Sequence, residues 1–218
     1  DEIDRFRISS IEPNLCTKEV IDFVAASKRF MPHFHMPLQS GDNEILSLMK
    51  RRYRRDLYAE RVEYIKQVMP HACIGVDVIV GFPGETNDHF QNSFDFIHGL
   101  DVSYLHVFTY SERPNTLANE MEGKIDPSLR HQRSQQLRNL SIKKKNNFYH
   151  QFLNTRQTVL LEQKQTDQLE GLSGFTDNYL RVNLPDASHD MINTLQEIRI
   201  EGFDVTGDLI GKFVPCHV

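Results

Sequence analysis

The stretch Asp77–Thr86, which reads DVIVGFPGET, decides the fold class of this chain. Val76–Phe82 is apolar except for Asp77 and Gly81, as expected of a strand that is buried on both faces of a sheet. The apolar run then gives way to glycine, proline and polar residues, and a segment with helical periodicity follows. Residues 35–42, which read HMPLQSGD, repeat this arrangement. Because ligands bind where parallel strands end, both stretches predict a ligand-binding edge.

Strands and helices alternate through the first 150 residues. Segments of β character, separated by segments with helical spacing, lie at 6–13, 33–38, 73–82 and 104–110. Four strands separated by helices predict an α/β fold of parallel βαβ units, and Thr17, Asp42 and Thr86 are expected to cap three of the helices. A closed barrel of this kind needs more strands, so we expect a partial (β/α) barrel whose open apolar edge favours self-association.

The pattern changes after Arg156. Short strands with little helical signal between them are predicted at 158–162, 174–182 and 197–200, and glycines occur at turn-like intervals. Roughly sixty residues of this kind predict a small all-β barrel of the oligonucleotide-binding (OB) sort. The sequence therefore predicts two domains with a boundary after residue 155, namely 1–155 and 156–218.

A long cationic helix is predicted at the end of the first domain, from Ser128 to about Asn154. Ser128–Arg156 contains seven Lys or Arg and no Asp or Glu, whereas residues 1–127 and 157–218 each carry a net charge of −6. A cationic segment between acidic ones predicts contact with an anionic partner, and a solvated helix face is the alternative.

Composition excludes several classes of protein. The 218 residues are 25% charged and 39% hydrophobic, which is unlike a disordered chain, and no run of eighteen apolar residues exists to span a membrane. Three cysteines, at positions 16, 73 and 216, are odd in number and far apart, so no disulfide framework is predicted. We therefore expect a cytoplasmic protein.

Five motifs, in their order and spacing, resemble those of the radical S-adenosylmethionine methylthiotransferases. They are SSIEP at 9–13, HMPLQSG at 35–41, LMKRRY at 48–53, DVIVGFPGET at 77–86 and YSERPNT at 110–116, the last with Asn115 where the family has glycine. The closing GDLIGKFV at 207–214 resembles the TRAM domain of such enzymes. SSIEP together with MKRRY is most similar to the branch that modifies threonylcarbamoyladenosine in tRNA. The resemblance implies the C-terminal half of a radical barrel followed by a TRAM domain.

The cysteines depart from the family. Such enzymes hold one [4Fe-4S] cluster through a CxxxCxxC motif and a second cluster in a preceding domain, and neither set of cysteines is present in this sequence. Cys16, Cys73 and Cys216 are too far apart to present three thiolates to one cluster. The resemblance thus implies S-adenosylmethionine and [4Fe-4S] clusters as cofactors of a full-length enzyme. We expect this chain to lack the cluster ligands, any catalytic residue and any other metal site, and to be inactive alone.

The resemblance also implies which residues would form walls of the S-adenosylmethionine site. They are Glu12, Gln39, Ser40, Arg51, Asp77, Val80, Gly81 and Phe82. Arg51 suits the methionyl carboxylate because a guanidinium binds it through two hydrogen bonds, and the main chain of Val80–Phe82 would flank the adenine. Glu12 would accept hydrogen bonds from the ribose or the amino group.

Each of these assignments has a structural alternative. Glu12 could pair with a neighbouring arginine, Ser40 could cap the helix after Gly41, and Asp77 could be a buried carboxylate bonded within the barrel. His33 and His35 share one strand face and resemble a metal pair, but no third ligand is near them in the sequence.

For RNA, the resemblance and the charge pattern point to tRNA phosphates. The predicted contacts are Lys143, Lys144, Lys145, Arg156 and Arg181. Phe175 and Tyr179 would be surface contacts beside Arg181, with barrel core as the alternative.

Three functions are compatible with the sequence. The first is part of an enzyme that adds a methylthio group to C2 of threonylcarbamoyladenosine near the anticodon. The second is a non-catalytic RNA-binding module. The third is a related methylthiotransferase acting on another tRNA adenosine or on a ribosomal protein. The source of the sulfur stays open.

Overall fold

A computed structural model describes residues 3–163 and 171–214 of the chain. The chain folds as two compact units, Asp1–Lys145 and Asn146–Val218. The division lies inside the long cationic helix, earlier than the predicted boundary after residue 155. Within the described residues, no helix is both long enough and apolar enough to cross a membrane.

The first unit contains a parallel sheet. Its strands are β1 (Phe6–Ile8), β2 (Phe30–His35), β3 (Cys73–Val80) and β4 (Tyr104–Thr109), which lie side by side in that order. Every neighbouring pair is parallel. Among the described residues the sheet does not close on itself, so the predicted open, partial arrangement is confirmed.

Six helices accompany this sheet. They are α1 (Lys18–Ala26), α2 (Asn43–Leu48), α3 (Arg55–Val68), α4 (Asn87–Gly99), α5 (Leu117–Glu120) and α6 (Pro127–His150). The predicted caps are confirmed, because Thr17, Asp42 and Thr86 each accept a hydrogen bond from a backbone N–H in the first turn of α1, α2 and α4. The short helix α5 lies where the sequence predicted only a loop.

The two faces of the sheet differ in polarity. On β3, the side chains of Ile74, Val76, Val78 and Val80 are at most 1% exposed and belong to the core of the unit. The alternate positions lie on the opposite face, where Cys73 and Gly75 are buried but Asp77 and Ile79 are partly exposed. The strand is therefore fully buried on one face only. We call the opposite face, which carries His35 of β2, Asp77 of β3 and His106 of β4, the polar face.

The second unit is a closed five-stranded barrel, so the predicted small all-β barrel is confirmed. Its strands are β5 (Arg156–Glu162), β6 (Leu172–Thr176), β7 (Arg181–Leu184), β8 (Leu195–Phe203) and β9 (Leu209–Phe213), with a short 3₁₀ turn at His189–Met191. The single strand predicted at 174–182 is wrong. Tyr179 has a positive φ of 67°, which ends one strand and starts the next in a tight turn.

Candidate functional site

A cleft of about 670 Å³ opens at the carboxyl ends of β2, β3 and β4. Four of the eight predicted cofactor residues line it, namely Gln39, Arg51, Asp77 and Phe82. Gln39, Arg51 and Phe82 come from three separate loops and Asp77 from β3, and the fold brings them to one edge of the sheet. The edge at which the sequence predicts ligand binding thus has a cavity of the size that holds a small molecule.

The C-terminal turn of α2 positions Arg51 at the cleft. The backbone N–H of Arg51 donates to the carbonyl of Leu46, and the N–H of Lys50 donates to the carbonyl of Ser47, both at 2.9 Å. This is a Schellman motif, in which the chain turns sharply through a left-handed residue. Lys50 takes that position with φ of 55°, where glycine is usual. The helix end thus fixes the backbone from which Arg51 extends.

Two buried polar atoms at the cleft have no hydrogen-bond partner among the described residues. They are Nε of Arg51 and Oη of Tyr110. A buried donor without a partner costs about 1–3 kcal/mol, so such atoms are normally satisfied by water or by a polar ligand. Nη1 of Arg51 lies 3.7 Å from Oε1 of Glu12, which places the predicted pairing of Glu12 with an arginine at the rim of the cleft.

The end of β2 is held to β3 by its backbone. The N–H of Gln39 donates to the carbonyl of Asp77 at 2.8 Å, and the carbonyl of Gln39 accepts from Ile79 at 2.9 Å. Gln39 has φ of 70°, a left-handed conformation that is strained for a residue with a side chain. Strain of this kind at the edge of a cleft is typical of a functional position.

Three predicted cofactor residues are occupied elsewhere. Ser40 is 2% exposed, and its hydroxyl accepts from the N–H of Asp42 and contacts Ser93, so it stabilises the loop before α2. The carbonyl of Val80 accepts from the N–H of Tyr110 at 2.8 Å. The N–H of Gly81 donates to Glu85 at 3.1 Å. The main-chain groups expected to flank an adenine are thus largely engaged within the protein.

Phe82 remains as the apolar surface of this loop. Its ring lies edge-on to Tyr110, with ring centroids 5.4 Å apart and an interplanar angle of 74°. Phe108 lines the same cleft and is 53% exposed, which is high for a large apolar side chain. The cleft therefore combines aromatic walls with cationic and amide groups, which suits a ligand that has both a ring system and charged ends.

Sequence reasoning missed the ion pair that anchors the loop after β3. Glu85 and Arg133 are both buried, and Nη1 of Arg133 lies 2.5 Å from Oε1 of Glu85 and 3.0 Å from the Glu85 carbonyl. Nη2 of Arg133 donates to Asn87 at 2.8 Å. Burial raises the pKa of Glu85, and the positive charge of Arg133 opposes that rise without cancelling it.

A second arginine of α6 holds the loop after β4. Arg130 donates to Glu112 at 2.6 Å and to the carbonyl of Tyr110 at 3.0 Å. Its side chain also lies against Gly81, where a Cβ would come within 2.4 Å of Cγ of Arg130. Glycine at position 81 is therefore required by this contact. Arg130 and Arg133 together fix both loops that border the cleft.

These contacts change the interpretation of the cationic helix. Arg130 and Arg133 are 7% and 2% exposed, so they contact loops of the first unit. Lys144 donates to the carbonyls of His98 and Leu100 at the end of α4, at 3.2 and 2.6 Å, and burial lowers its pKa. Lys144 is thus already engaged within the protein, whereas Lys143 is exposed. Fewer cations face solvent than the charge count suggested.

In the second unit, Phe175, Tyr179 and Arg181 form a stack on the barrel surface. The rings of Phe175 and Tyr179 are 4.6 Å apart and nearly parallel, at 13°. The Arg181 guanidinium lies 5.6 Å from the centroid of Phe175 and 3.5 Å from a carboxylate oxygen of Asp208. All three stacked side chains are partly exposed, which leaves part of each ring open to solvent. Arg156, a further predicted RNA contact, is exposed.

The described cysteines do not fit an iron–sulfur cluster. Cys16 and Cys73 are buried, and burial raises the pKa of Cys16 to about 11 and that of Cys73 to about 12. Thiols with such values stay protonated, whereas cluster ligands are thiolates. Cys216 lies outside the described residues. No chemical step is assigned to a cluster on this chain.

Comparison with known proteins agrees with this geometry. Residues 1–97 match the family model of the radical SAM superfamily. The solved structure of coproporphyrinogen III oxidase (HemN) from Escherichia coli, a radical SAM enzyme, superimposes with a TM-score of 0.50 at 14% identity. That match covers 97% of this chain and 52% of the other, and it shows a shared fold.

Sequence relatives are tRNA-modifying enzymes. The threonylcarbamoyladenosine tRNA methylthiotransferase MtaB of Bacillus subtilis is 36% identical over 200 residues, which are 91% of this chain and 44% of that protein. The Aquifex aeolicus MtaB is 40% identical over 67% of this chain and 36% of its own length. The tRNA-2-methylthio-N(6)-dimethylallyladenosine synthase of Zymomonas mobilis is 34% identical over 88% of this chain and 43% of its own length.

The chain spans less than half the length of each of these relatives. Residues 1–97 therefore belong to the radical SAM superfamily, and over most of its length the chain is homologous to tRNA methylthiotransferases of the MtaB type.

Proposed function

We propose that this chain forms the S-adenosylmethionine pocket and part of the RNA-binding surface of a tRNA methylthiotransferase. The supporting observation is the cleft at the strand ends, where Arg51 and Tyr110 each leave a buried polar atom without a partner. When bound there, S-adenosylmethionine supplies the transferable methyl group and the radical precursor that enzymes of this family use. The residues of this chain bind and orient it.

Each wall of the cleft suits a different part of the cofactor. Arg51 offers a guanidinium to the methionyl carboxylate, and its Nε is available for that bond. Gln39 offers a neutral amide to the ribose or the amino group. Phe82 offers an aromatic surface to the adenine, replacing the main-chain contacts that Val80 and Gly81 cannot fully provide. Glu12 keeps the Arg51 side chain at the rim.

The charge of the cleft favours threonylcarbamoyladenosine as the nucleoside modified. Among the described residues the cleft is lined by three cationic side chains, Lys50, Arg51 and Arg113, and by the carboxylate of Asp77, with Glu12 beside Arg51 at the rim. A threonylcarbamoyl group carries a carboxylate, whereas a dimethylallyl group is uncharged. If Arg51 takes the cofactor carboxylate, Lys50 and Arg113 remain for a second anion. Sequence identity alone does not distinguish the two substrates, because relatives named for either one match this chain at similar identity.

Transfer RNA is the macromolecular partner in this proposal. The barrel of the second unit would act as a TRAM-type RNA-binding domain, with Arg156 and Arg181 near phosphates and the partly exposed stack of Phe175 and Tyr179 near a base. Lys143 and Lys145 would add phosphate contacts, whereas Lys144 would not.

A non-catalytic RNA-binding role is the second candidate. The observation that favours it is that Cys16 and Cys73, the described cysteines, are buried and protonated. Under this alternative, the cleft would be a structural remnant and the stack on the barrel would carry the function.

The two candidates are separated by the nucleosides of tRNA in cells that lack the gene encoding this chain. We expect mass spectrometry to show loss of the 2-methylthio derivative of threonylcarbamoyladenosine and accumulation of its precursor. Loss of the 2-methylthio dimethylallyl nucleoside instead would move the assignment to the related branch. Unchanged levels of both would contradict the enzymatic proposal.

A further inference from the structure

Three strands bring a histidine, an aspartate and a second histidine together on the polar face. Nε2 of His35 on β2 lies 3.0 Å from Oδ1 of Asp77 on β3. His106 is directly opposite Asp77 in the register of β3 and β4, and its ring centroid is 5.5 Å from that of His35. One ligand atom of each residue lies within 4.8 Å of those of the other two.

One of these separations matches the distance between two ligand atoms of a bound metal ion. A metal held at about 2.1 Å from nitrogen and oxygen ligands places neighbouring ligand atoms roughly 3.0–3.4 Å apart. The pair of His35 and Asp77 already has that spacing. His106 is exposed and lies on the edge strand of the sheet, so a small side-chain rotation closes the remaining distance.

The surroundings leave these three side chains available. His106 makes ring contacts with His35 and with Tyr104, at 5.5 and 5.1 Å, and no hydrogen bond to the described residues. His33, the other histidine of the suspected pair on β2, is instead buried and bonded to the hydroxyl of Tyr104 at 3.1 Å. The third ligand that the sequence could not reveal therefore comes from a different strand.

We propose that His35, Asp77 and His106 bind one divalent transition-metal ion, such as Zn²⁺ or Co²⁺. Two imidazoles and one carboxylate form a donor set that such ions prefer over Mg²⁺ or Ca²⁺. Asp77 also lines the cleft, so a coordination position left by the three ligands faces the cavity. This proposal is independent of the tRNA function, because it rests only on the geometry of the polar face.

The chain offers matched controls. On the surface, Nε2 of His89 lies 3.2 Å from Oε2 of Glu44, which is a histidine–carboxylate pair of nearly the same spacing. Among the described residues that pair belongs to no group of three metal-ligating side chains. Asp77→Asn and Glu44→Gln therefore remove equivalent charges from a three-ligand and a two-ligand site. His106→Ala, on an exposed residue, and His131→Ala, on the exposed face of α6, form the second matched pair.

The test is calorimetric titration of the full chain with Zn²⁺, paired with visible spectra after addition of Co²⁺. We expect one Zn²⁺ per chain, a loss of affinity of at least about 10- to 100-fold in Asp77→Asn and in His106→Ala, and no loss in either control. The Co²⁺ spectrum should show d–d bands and no thiolate charge-transfer band. Thermal unfolding of each variant checks that the fold is retained.

Three outcomes would overturn the proposal. The first is no binding by the parent chain. The second is an equal loss of Zn²⁺ affinity in the Glu44→Gln or His131→Ala control, which would indicate that scattered surface histidines bind the metal. The third is a thiolate band, which would assign the metal to cysteine. If Asp77→Asn does not fold, His106→Ala decides alone.

Discussion

The buried pair of Glu85 and Arg133 makes the sharpest stability prediction. In Arg133→Met, the carboxylate of Glu85 stays buried, at 5% side-chain exposure, without its cationic partner, and Asn87 loses its donor. Removing one member of a buried ion pair costs about 3–5 kcal/mol, because the remaining charge is uncompensated. That is a fifth or more of the roughly 5–15 kcal/mol that stabilises a domain. Urea denaturation followed by circular dichroism measures the loss.

The same pair predicts a pH dependence with a defined sign. Burial raises the pKa of Glu85 above its usual value of 4.5, so the folded chain holds this proton more tightly than the unfolded chain. The contribution of protonated Glu85 to the stability of the fold is therefore fully present below pH 4.5, and it is lost as the pH rises through the pKa of the folded chain. In Arg133→Met this pKa should rise further, so the destabilisation should be large at pH 7 and shrink toward pH 4.5.

A surface pair provides the control. Lys18 and Glu60 lie 3.1 Å apart with side chains about half exposed, so Lys18→Met should cost under about 1 kcal/mol. In Glu85→Gln, Arg133 keeps its hydrogen bonds to the main-chain carbonyl of residue 85 and to Asn87, so the loss of stability should be smaller than in Arg133→Met. The double variant should lose less stability than the sum of the two single variants. An Arg133→Met variant within about 0.5 kcal/mol of the parent would refute the reasoning.

Three further predictions concern the cationic helix, the parallel sheet and the aromatic stack on the barrel. Lys143→Gln should lower the slope of log tRNA affinity against log salt by about one unit, whereas the adjacent Lys144→Gln should not, and equal slopes would contradict the assignment. Gly75→Ala brings a Cβ within 2.3 Å of the Tyr104 ring and should cost about 1–3 kcal/mol in urea denaturation; an unchanged midpoint would show that the ring moves freely. Phe175→Ala should weaken binding of single-stranded RNA by about 1–3 kcal/mol in a filter-binding assay, and unchanged affinity would remove the stack from the RNA surface.

The order of elements in the first unit could be predicted because its signals are local. Hydrophobic periodicity marks each strand and helix, and a side-chain oxygen at Thr17, Asp42 or Thr86 marks a helix start within three residues. The strand ends could be located for the same reason. The turn at 177–180 was missed although Asp177 and Asn178 are usual turn residues; only the left-handed Tyr179 is an unusual one.

Features that depend on contacts between distant segments were not predictable from spacing. Arg130 and Arg133 count as solvent-facing cations in the sequence, yet the fold uses both to hold loops about the cleft. His106 lies 71 positions after His35, and only the register of three parallel strands brings them together. Charge counting cannot distinguish a buried arginine from an exposed one, because both have the same local sequence pattern.

The central claim is that the cleft at the strand ends holds S-adenosylmethionine through Arg51. The most direct measurement is calorimetric titration of the chain with S-adenosylhomocysteine, which retains the carboxylate and the adenine and is chemically stable. We predict one binding site, an affinity loss of roughly 10- to 100-fold in Arg51→Ala, and parent-like binding in Arg52→Ala, whose side chain lies outside the cleft. Equal binding by the Arg51→Ala and parent chains, or no binding by the parent chain, would contradict it.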